Sequence, residues 1–312
     1  MEEHMTLTTK PSLHVIPSSG PFAKYNTPES CILFPVGERK VGWQQRDGAY
    51  RETRGHKAII RLNEKGDNAQ LLNIVGSTYK LVHNRELMGA VEEAMCNEML
   101  PEHLAGVQVT DKVSGWGKLC FRTYVFPNIK CKVNTPGIKS DIGFRIIVQN
   151  GYGGSALRIH AGAIDFYCTN GMIRGEYVSA YRRHTSGLVV GKLNTTIADA
   201  LVEFVKAGEE WQAWSKTPVK HEKAMDLFRA IASSEKMREG LTDQYMRETE
   251  GRGNNLWAVY STLTYYASHP EGDFALRKSV EEQDNVAVTV LRHELDVARW
   301  VHMKEWKQLE TA

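Results

Sequence analysis

The chain has 312 residues, 42% of them hydrophobic and 24% charged, and this balance excludes fibrous and wholly disordered proteins. No apolar run reaches the roughly 18 residues of a membrane span, and acidic Glu2 and Glu3 open the chain without an apolar segment behind them, so we expect neither a membrane span nor a secretory signal. Five cysteines at wide, irregular spacings indicate reduced thiols, and we expect a cytoplasmic protein.

The N-terminal part is predicted to be an irregular arm followed by a hairpin and a helix. Residues 1–34 form the arm, which begins with many Thr, Ser and Pro residues and is available to dock on a partner subunit. Residues 56–77 contain two β-rich runs around a Lys-Gly-Asp-Asn turn cluster, which predicts a hairpin. Asn84 is expected to cap a helix over about 85–100, which Pro101 ends.

The middle of the chain is predicted to be an antiparallel β-meander. Four β-rich runs, separated by Gly, Pro and Asn turns, cover residues 107–113, 119–126, 142–148 and 156–161. Because side chains alternate between the two faces of a strand, Arg122 and Tyr124 share one face, as do Arg158 and His160. The alternation therefore predicts a sheet with one basic face.

The remainder of the chain is predicted to be helical. After residue 194, apolar side chains recur at intervals of three and four, and Asn254 or Asn255 is placed to cap one of the helices. The predicted fold class is α+β, with an antiparallel meander, flanking helices and a C-terminal helical region. We expect an arm at 1–34, an α+β core with the basic sheet at 35–193, and helices packed on that core at 194–312.

Positive charge is concentrated in one stretch of the chain. Residues 112–192 contain twelve Lys or Arg against three acidic side chains, whereas both flanking regions contain more acidic than basic side chains. The stretch also holds ten aromatic residues, and cations interleaved with flat rings are typical of a groove for single-stranded nucleic acid. The alternative is that the rings form the core of the sheet and the cations solvate its outer face.

Catalytic and metal chemistry have little support in the residue pattern. The turn at residues 151–155 lacks the lysine and the following helix of a phosphate-binding loop. The candidate metal ligands lack the spacing of a zinc site. They are Cys120, Cys131, His160, Cys168 and His184. We expect no metal, no cofactor and no catalysis, and an enzyme that uses Cys168 and His160 is a third hypothesis.

Several segments resemble one family, the phage- and plasmid-like proteins that share a domain of unknown function. The resemblance runs between residues 35 and 270, and its segments keep their order and spacing. They are residues 56–61, 72–82, 154–158, 168–171, 183–187 and 254–260, with a continuation to His269. The resemblance implies a mobile-element origin and carries no activity with it.

The order of elements is also similar, at the level of fold, to the ring-forming single-strand annealing proteins of the eukaryotic recombination mediator superfamily. This likeness implies an oligomer with a groove on its outside. Tyr152, Arg158, Arg174, Arg182 and Arg183 would line that groove. Annealing then requires no catalytic residue, because neutralised phosphates let two strands approach while their bases stay free to pair.

These observations predict a non-catalytic single-stranded DNA-binding protein of a phage or mobile element. It is expected to promote annealing and recombination in the host cytoplasm as a homo-oligomer, in a ring or a filament. The residues expected to bind nucleic acid are Lys130, Lys132, Arg145, Tyr152, Arg158, Arg174, Tyr181, Arg182, Arg183 and Lys192. The alternative is a host-takeover or nuclease-inhibitor protein that docks its basic face on an acidic host protein.

Overall fold

Eight strands and eight α-helices make up the part of the chain that this computed structural model describes, residues 20–63, 68–152, 157–173, 190–269 and 286–310. The strands are β1 (Val36–Gln44), β2 (Tyr50–Leu62), β3 (Asn68–Gly76), β4 (Gln108–Ser114), β5 (Leu119–Asn134), β6 (Lys139–Gly151), β7 (Arg158–Asp165) and β8 (Gly171–Ile173). The helices are α1 (Asn84–Glu98), α2 (Pro101–Leu104), α3 (Val190–Trp214), α4 (His221–Ile231), α5 (Glu235–Arg252), α6 (Leu256–Ser268), α7 (Val286–Trp300) and α8 (Lys304–Glu310). The predicted α+β class is confirmed.

The strands form two antiparallel sheets, in the orders β1-β2-β3 and β4-β5-β6-β7-β8. The second sheet is the meander that the alternation predicts, because every strand in it pairs with its neighbour along the chain. β5 and β6 are joined by a tight turn in which the N–H of Thr135 donates to the carbonyl of Ile138. Gly137 lies in this turn, where a Cβ would come within 2.7 Å of the Gly251 carbonyl oxygen.

The first sheet is larger than the predicted hairpin. The hairpin over 56–77 is confirmed as the pairing of β2 with β3, but β2 begins earlier and pairs on its other side with β1. Strand β1 was missed because it reads Val-Gly-Glu-Arg-Lys-Val-Gly-Trp-Gln, with charged and glycine residues where an alternating apolar pattern would stand.

The sequence predicts a capping residue at the N-termini of two helices, α1 and α6. The expectation for Asn84 is wrong: it is the first helical residue of α1, and its side chain instead donates to the carbonyl of Ile32, 2.7 Å away. The Asn84 N–H donates to the Tyr152 hydroxyl at 3.0 Å. At α6 the cap is confirmed as Asn255, whose side-chain oxygen accepts from the Ala258 N–H at 2.9 Å.

A main hydrophobic core joins strands and helices, and a smaller buried cluster lies on the other face of the five-stranded sheet. On the face of the five-stranded sheet that carries Tyr124, Phe144 and Ala161, hereafter the core face, buried side chains of α1 and α3 pack against the strands. The opposite face, which carries Phe121, Ile147 and His160, packs against Leu291 of α7 and is called the α7 face. Helices therefore lie on both faces of the sheet.

The described part of the N-terminal arm, residues 20–34, packs on its own chain. Phe22, Ile32 and Leu33 are buried in the core. The Phe22 ring meets the Tyr124 ring edge-on at a centroid distance of 5.6 Å. Apolar side chains in this short segment thus hold it against the core face of the sheet.

Candidate nucleic-acid interface

Arg122, expected on a basic face, is buried among acceptors on the core face. Its Nε and Nη2 donate to the two carboxylate oxygens of Asp111, both at 2.7 Å. Its Nη1 donates to Glu92 Oε1 at 3.0 Å and to Asn26 Oδ1 at 2.6 Å. The expectation that Arg122 contributes to an exposed basic face is wrong, because a buried cation requires paired carboxylates and finds two of them here.

The same cluster ties the N-terminal segment to the sheet. Asn26 and Ser30 donate to Glu92 and Asp111 respectively, and the Tyr124 hydroxyl donates to Glu92 Oε1 at 2.8 Å. Burial raises the pKa of Glu92, while Asn26 and Arg122 oppose that rise. The Arg122 guanidinium is therefore occupied by partners within the protein and is buried from a ligand at the surface.

Arg145, another expected binding residue, is buried on the α7 face. Its two terminal guanidinium nitrogens donate to the two carboxylate oxygens of Glu294 on α7. The pair lies over Gly171, where an added Cβ would come within 2.3 Å of Glu294 Oε1 and 2.6 Å of Arg145 Nη1. Arg145 therefore holds α7 on the sheet and does not contact a nucleic-acid strand at the surface through its terminal nitrogens.

Tyr152, another expected binding residue, does not lie at the surface. Its ring is fully buried and its hydroxyl accepts from Asn84, so it cannot stack on a base at the surface. The sequence pattern around Tyr152 could not show whether the ring is exposed, because a tyrosine beside a glycine turn is compatible both with a surface ring and with the end of a core strand.

The other expected binding residues divide into three groups. Lys130 and Lys132 are exposed, and Lys130 pairs with Asp141 at 2.6 Å. Arg158 is half-buried and lies two residues from His160 on the α7 face. The rest fall outside the described residues or, for Lys192, outside the described side chains. They are Arg174, Tyr181, Arg182, Arg183 and Lys192.

A groove of about 530 Å³ between β5 and α3 includes Lys130 at its rim. Glu209 and Gln212 lie on the opposite side, and the lining between them is apolar. The aromatic residue of the lining, Phe204, is buried. This groove lacks the exposed rings and the excess of cations that a nucleic-acid strand requires.

The hypothesis of a Cys168–His160 catalytic pair finds no support in the geometry. His160 lies on the α7 face, whereas Cys168 Sγ is 3.8 Å from Nη2 of Arg252, which pairs with Asp165 on the core face. Burial raises the pKa of Cys168 to about 12, so the thiol stays protonated at neutral pH. Among the described residues, no group of three His, Cys, Asp or Glu side chains could hold a metal ion.

Exposed rings beside exposed arginines occur instead on the distal part of the β1–β2 hairpin. This part, residues 42–54, is called the ribbon. Trp43 and Tyr50 are 53% and 59% exposed, and Arg46, Arg51 and Arg54 are exposed beside them. The sequence interpretation missed the ribbon because its positive charge lies within an N-terminal third of the chain that is net acidic. The pattern that could have revealed it is Trp-Gln-Gln-Arg-Asp-Gly-Ala-Tyr-Arg, in which two aromatic residues flank an Asp-Gly turn.

Pairing within the ribbon places its side chains. Trp43 is opposite Arg51, so the indole and the guanidinium share one side of the ribbon, and Tyr50 projects from the other side. Tyr50 leans over Gly42, where a Cβ would come within 2.6 Å of its ring. Asp47 Oδ1 accepts from the Ala49 N–H at 2.9 Å and stabilises the turn.

A third exposed ring lies at the other end of β2. Trp116 is 66% exposed with φ at 63°, a left-handed conformation that a bulky residue adopts only when its surroundings hold it there. Arg61 donates to the Trp116 carbonyl at 3.3 Å, and its guanidinium lies 4.1 Å from the centroid of Phe34. The hydrogen bond joins the backbone of this turn to β2.

Comparison with known proteins gives a family and no activity. The model of a family described as a domain of unknown function (DUF932) matches residues 71–292, and the chain belongs to this family. The ribbon precedes the matched range. No curated protein and no solved structure matches the chain. In the described part of the chain, every helix is too short or too polar to cross a membrane.

Proposed function

We propose that this protein binds single-stranded DNA and promotes the annealing of complementary strands without catalysing a reaction. The observation that supports the proposal is the ribbon, in which the rings of Trp43 and Tyr50 are exposed beside Arg46, Arg51 and Arg54. Rings accept bases by stacking and guanidinium groups pair with phosphates, so one hairpin offers partners to both parts of a nucleotide.

The two rings favour a single strand over a duplex. A base can stack on Trp43 or Tyr50 only when it is not stacked inside a double helix, and stacking leaves its pairing edge free. Complementary strands held in this way can pair while the arginines reduce the repulsion between their phosphates. Annealing by this route needs no catalytic group.

The exposed lysines of the 112–192 stretch add positive charge outside the ribbon. Lys112, Lys118, Lys130, Lys132 and Lys139 are all exposed. Such a field raises the rate at which a polyanion is captured. The proposal includes an assembly of several subunits along one strand, in a ring or a filament, and a role in recombination of a phage or other mobile element in its host cytoplasm.

The test is the affinity of the full chain for a fluorescent oligonucleotide of arbitrary sequence. Stacking contributes about 1–3 kcal/mol per base, so the double substitution Trp43→Ala with Tyr50→Ala should weaken single-strand binding by at least about tenfold. Duplex DNA of the same length should bind more weakly to the unaltered protein. The annealing rate of complementary strands should fall in the same double variant.

The matched control is Tyr167→Ala, because Tyr167 is 64% exposed and lies in the turn between β7 and β8, outside the ribbon. This variant should bind as tightly as the unaltered chain. Equal binding by the ribbon variant and the control would overturn the ribbon as the contact site. Absence of single-strand binding at low salt would favour the alternative, in which the positive surface docks on an acidic host protein.

A further inference from the structure

Three nitrogen-bearing side chains lie together on the α7 face of the sheet. Arg145 is paired across the ladder with Gly162, Ile147 with His160, and Gln149 with Arg158. Arg145, His160 and Arg158 therefore project from the same face, and His160 is the diagonal neighbour of Arg145. His160 is fully buried, Arg145 is 7% exposed and Arg158 is half-buried.

These side chains leave buried polar atoms without partners. In the part of the chain that the structure describes, Nε of Arg145, Nε of Arg158 and both ring nitrogens of His160 are buried and make no hydrogen bond. Each unpaired buried donor costs about 1–3 kcal/mol, and such groups are normally satisfied by a ligand or water when the protein does not supply an acceptor. Unpaired atoms on three adjacent side chains mark a common missing acceptor.

The charges around these atoms indicate whether the missing acceptor is an anion or a cation. Glu294 accepts from the two terminal nitrogens of Arg145 and leaves its Nε edge free. Arg158 has no ion pair in the described residues, so the cluster holds one more cation than anion. A metal cation would be repelled by two guanidinium groups, whereas an oxyanion would accept from all three side chains.

We propose that Arg145, Arg158 and His160 form a binding site for a single phosphate-type oxyanion between the β6–β7 ladder and α7. Arg158 and the Nε edge of Arg145 donate charge-assisted hydrogen bonds, and one ring nitrogen of His160 donates a third. Burial, with Arg158 and Arg145, lowers the pKa of His160 to about 4, so the imidazole is neutral at pH 7 and a donor through one nitrogen only.

The site suits a small anion and excludes the middle of a DNA strand. Glu294 and Leu291 of α7 cover Arg145 and the centre of the sheet, and Arg158 is the member of the cluster that solvent reaches. An inorganic phosphate ion and the terminal phosphate of a nucleic-acid strand share the required chemistry. This inference is independent of the ribbon and of the proposed function.

The first experiment measures the melting temperature of the full chain against inorganic phosphate at constant ionic strength, with sodium chloride as the compensating salt. A saturable rise is expected, because a ligand that binds only the folded state stabilises it. Arg158→Gln removes one charged donor at a half-exposed position and should weaken the phosphate response by about tenfold or more. Arg229→Gln, the same change at an exposed position on α4 outside the cluster, should leave it unaltered.

A second measurement does not depend on stability. The pKa of His160, followed by the proton resonances of its ring, should rise on addition of phosphate because a bound anion favours the imidazolium form. A 5′-phosphorylated oligonucleotide that shifts the His160 resonances at lower concentration than inorganic phosphate, when its unphosphorylated counterpart does not, would assign the site to a strand terminus. Equal phosphate responses in Arg158→Gln and the unaltered chain, or unmoved His160 resonances at saturating phosphate, would overturn the proposal.

Discussion

The burial of Arg122 shows that a cation within a basic stretch of sequence can belong to the core. Its partners come from three separate segments, with Asn26 before the first sheet, Glu92 on α1 and Asp111 on β4. An isolated buried charge costs several kcal/mol, so the position is tolerated only because these acceptors surround it. The basic stretch therefore overstates the charge that is available to a ligand.

At the residue scale, Arg122→Ala should lower the free energy of unfolding by about 3–5 kcal/mol, because Glu92 and Asp111 are then left as uncompensated buried charges. Urea denaturation measures the change. Arg238→Ala, which removes an exposed arginine paired with Glu235 on α5, should cost about 0–1 kcal/mol. A loss below about 1 kcal/mol in Arg122→Ala would mean that the two carboxylates find other partners or become protonated.

His160 should make stability depend on pH in the acid range. Its pKa is lowered in the folded state to about 4 from 6.5, so the unfolded chain binds the additional proton between these values. Stability contributed by the neutral ring is complete above pH 6.5 and is lost as the pH falls toward 4, by on the order of 2–3 kcal/mol.

The measurement is denaturant unfolding of the unaltered chain and of His160→Gln between pH 7 and 4. The variant cannot titrate at this position, so its stability should fall less over the same range. Parallel curves for the two proteins would show that His160 is not the titrating group. Because the comparison is a difference, the titration of Glu92 and of other histidines cancels to first order.

At the scale of elements, the ribbon is a small unit whose conformation depends on its own residues. It is a two-stranded antiparallel segment whose exposed side chains bury little apolar surface, and it lies beyond the part of β2 that pairs with β3. Its geometry depends on Gly42, over which Tyr50 leans, and on the Asp47 turn. A change in the ribbon should therefore affect binding more than folding.

Gly42→Val should disrupt the ribbon without unfolding the protein. The added Cβ would lie 2.3 Å from the Arg51 carbonyl oxygen and 2.6 Å from the Tyr50 ring, so the strand pairing must open locally. We expect a melting temperature close to that of the unaltered chain and single-strand binding reduced by about tenfold. Gly48 has a φ of 85° and open space around it, so Gly48→Asn, which tolerates that conformation, is the control that should retain binding. A large fall in melting temperature in Gly42→Val would show that the ribbon supports the core.

At the scale of the whole molecule, helices and strands share one hydrophobic core. Phe204 of α3 contacts Phe144 of β6 at a centroid distance of 5.3 Å, and Trp211 of α3 contacts Trp257 of α6 at 6.1 Å. The boundary at residue 193 between the α+β core and the helical region remains a prediction. These contacts indicate that neither side of it buries its apolar surface alone.

Limited proteolysis should therefore leave residues 35–300 largely intact, apart from cuts within loops whose products stay associated. Mass spectrometry of the digest after gel filtration under native conditions measures this. Separation of a stable fragment that ends near residue 190 would contradict a shared core.

The salt dependence of single-stranded DNA binding should report how many phosphates each subunit contacts. If each subunit contacts about 3–6 phosphates, the logarithm of the association constant should fall against the logarithm of salt concentration with a slope of about −2 to −4. Replacing Arg46 and Arg51 by alanine should make the slope shallower by about 1.4 if each arginine contacts one phosphate. Binding that is flat between low and moderate salt would contradict phosphate contacts as the source of affinity.

The sequence by itself determined the α+β class, the order of hairpin, helix, meander and helices, and a cap at Asn254 or Asn255, because period-two and period-3.6 patterns and capping residues act over a few neighbours along the chain. It also indicated an excess of positive charge and the presence of aromatic rings. Only the tertiary structure decided which of these side chains face water. Arg122, Arg145 and Tyr152 are buried because acceptors and apolar side chains from other segments of the chain meet them, whereas Trp43 and Tyr50 are exposed because no side chain in the described part of the chain covers the ribbon.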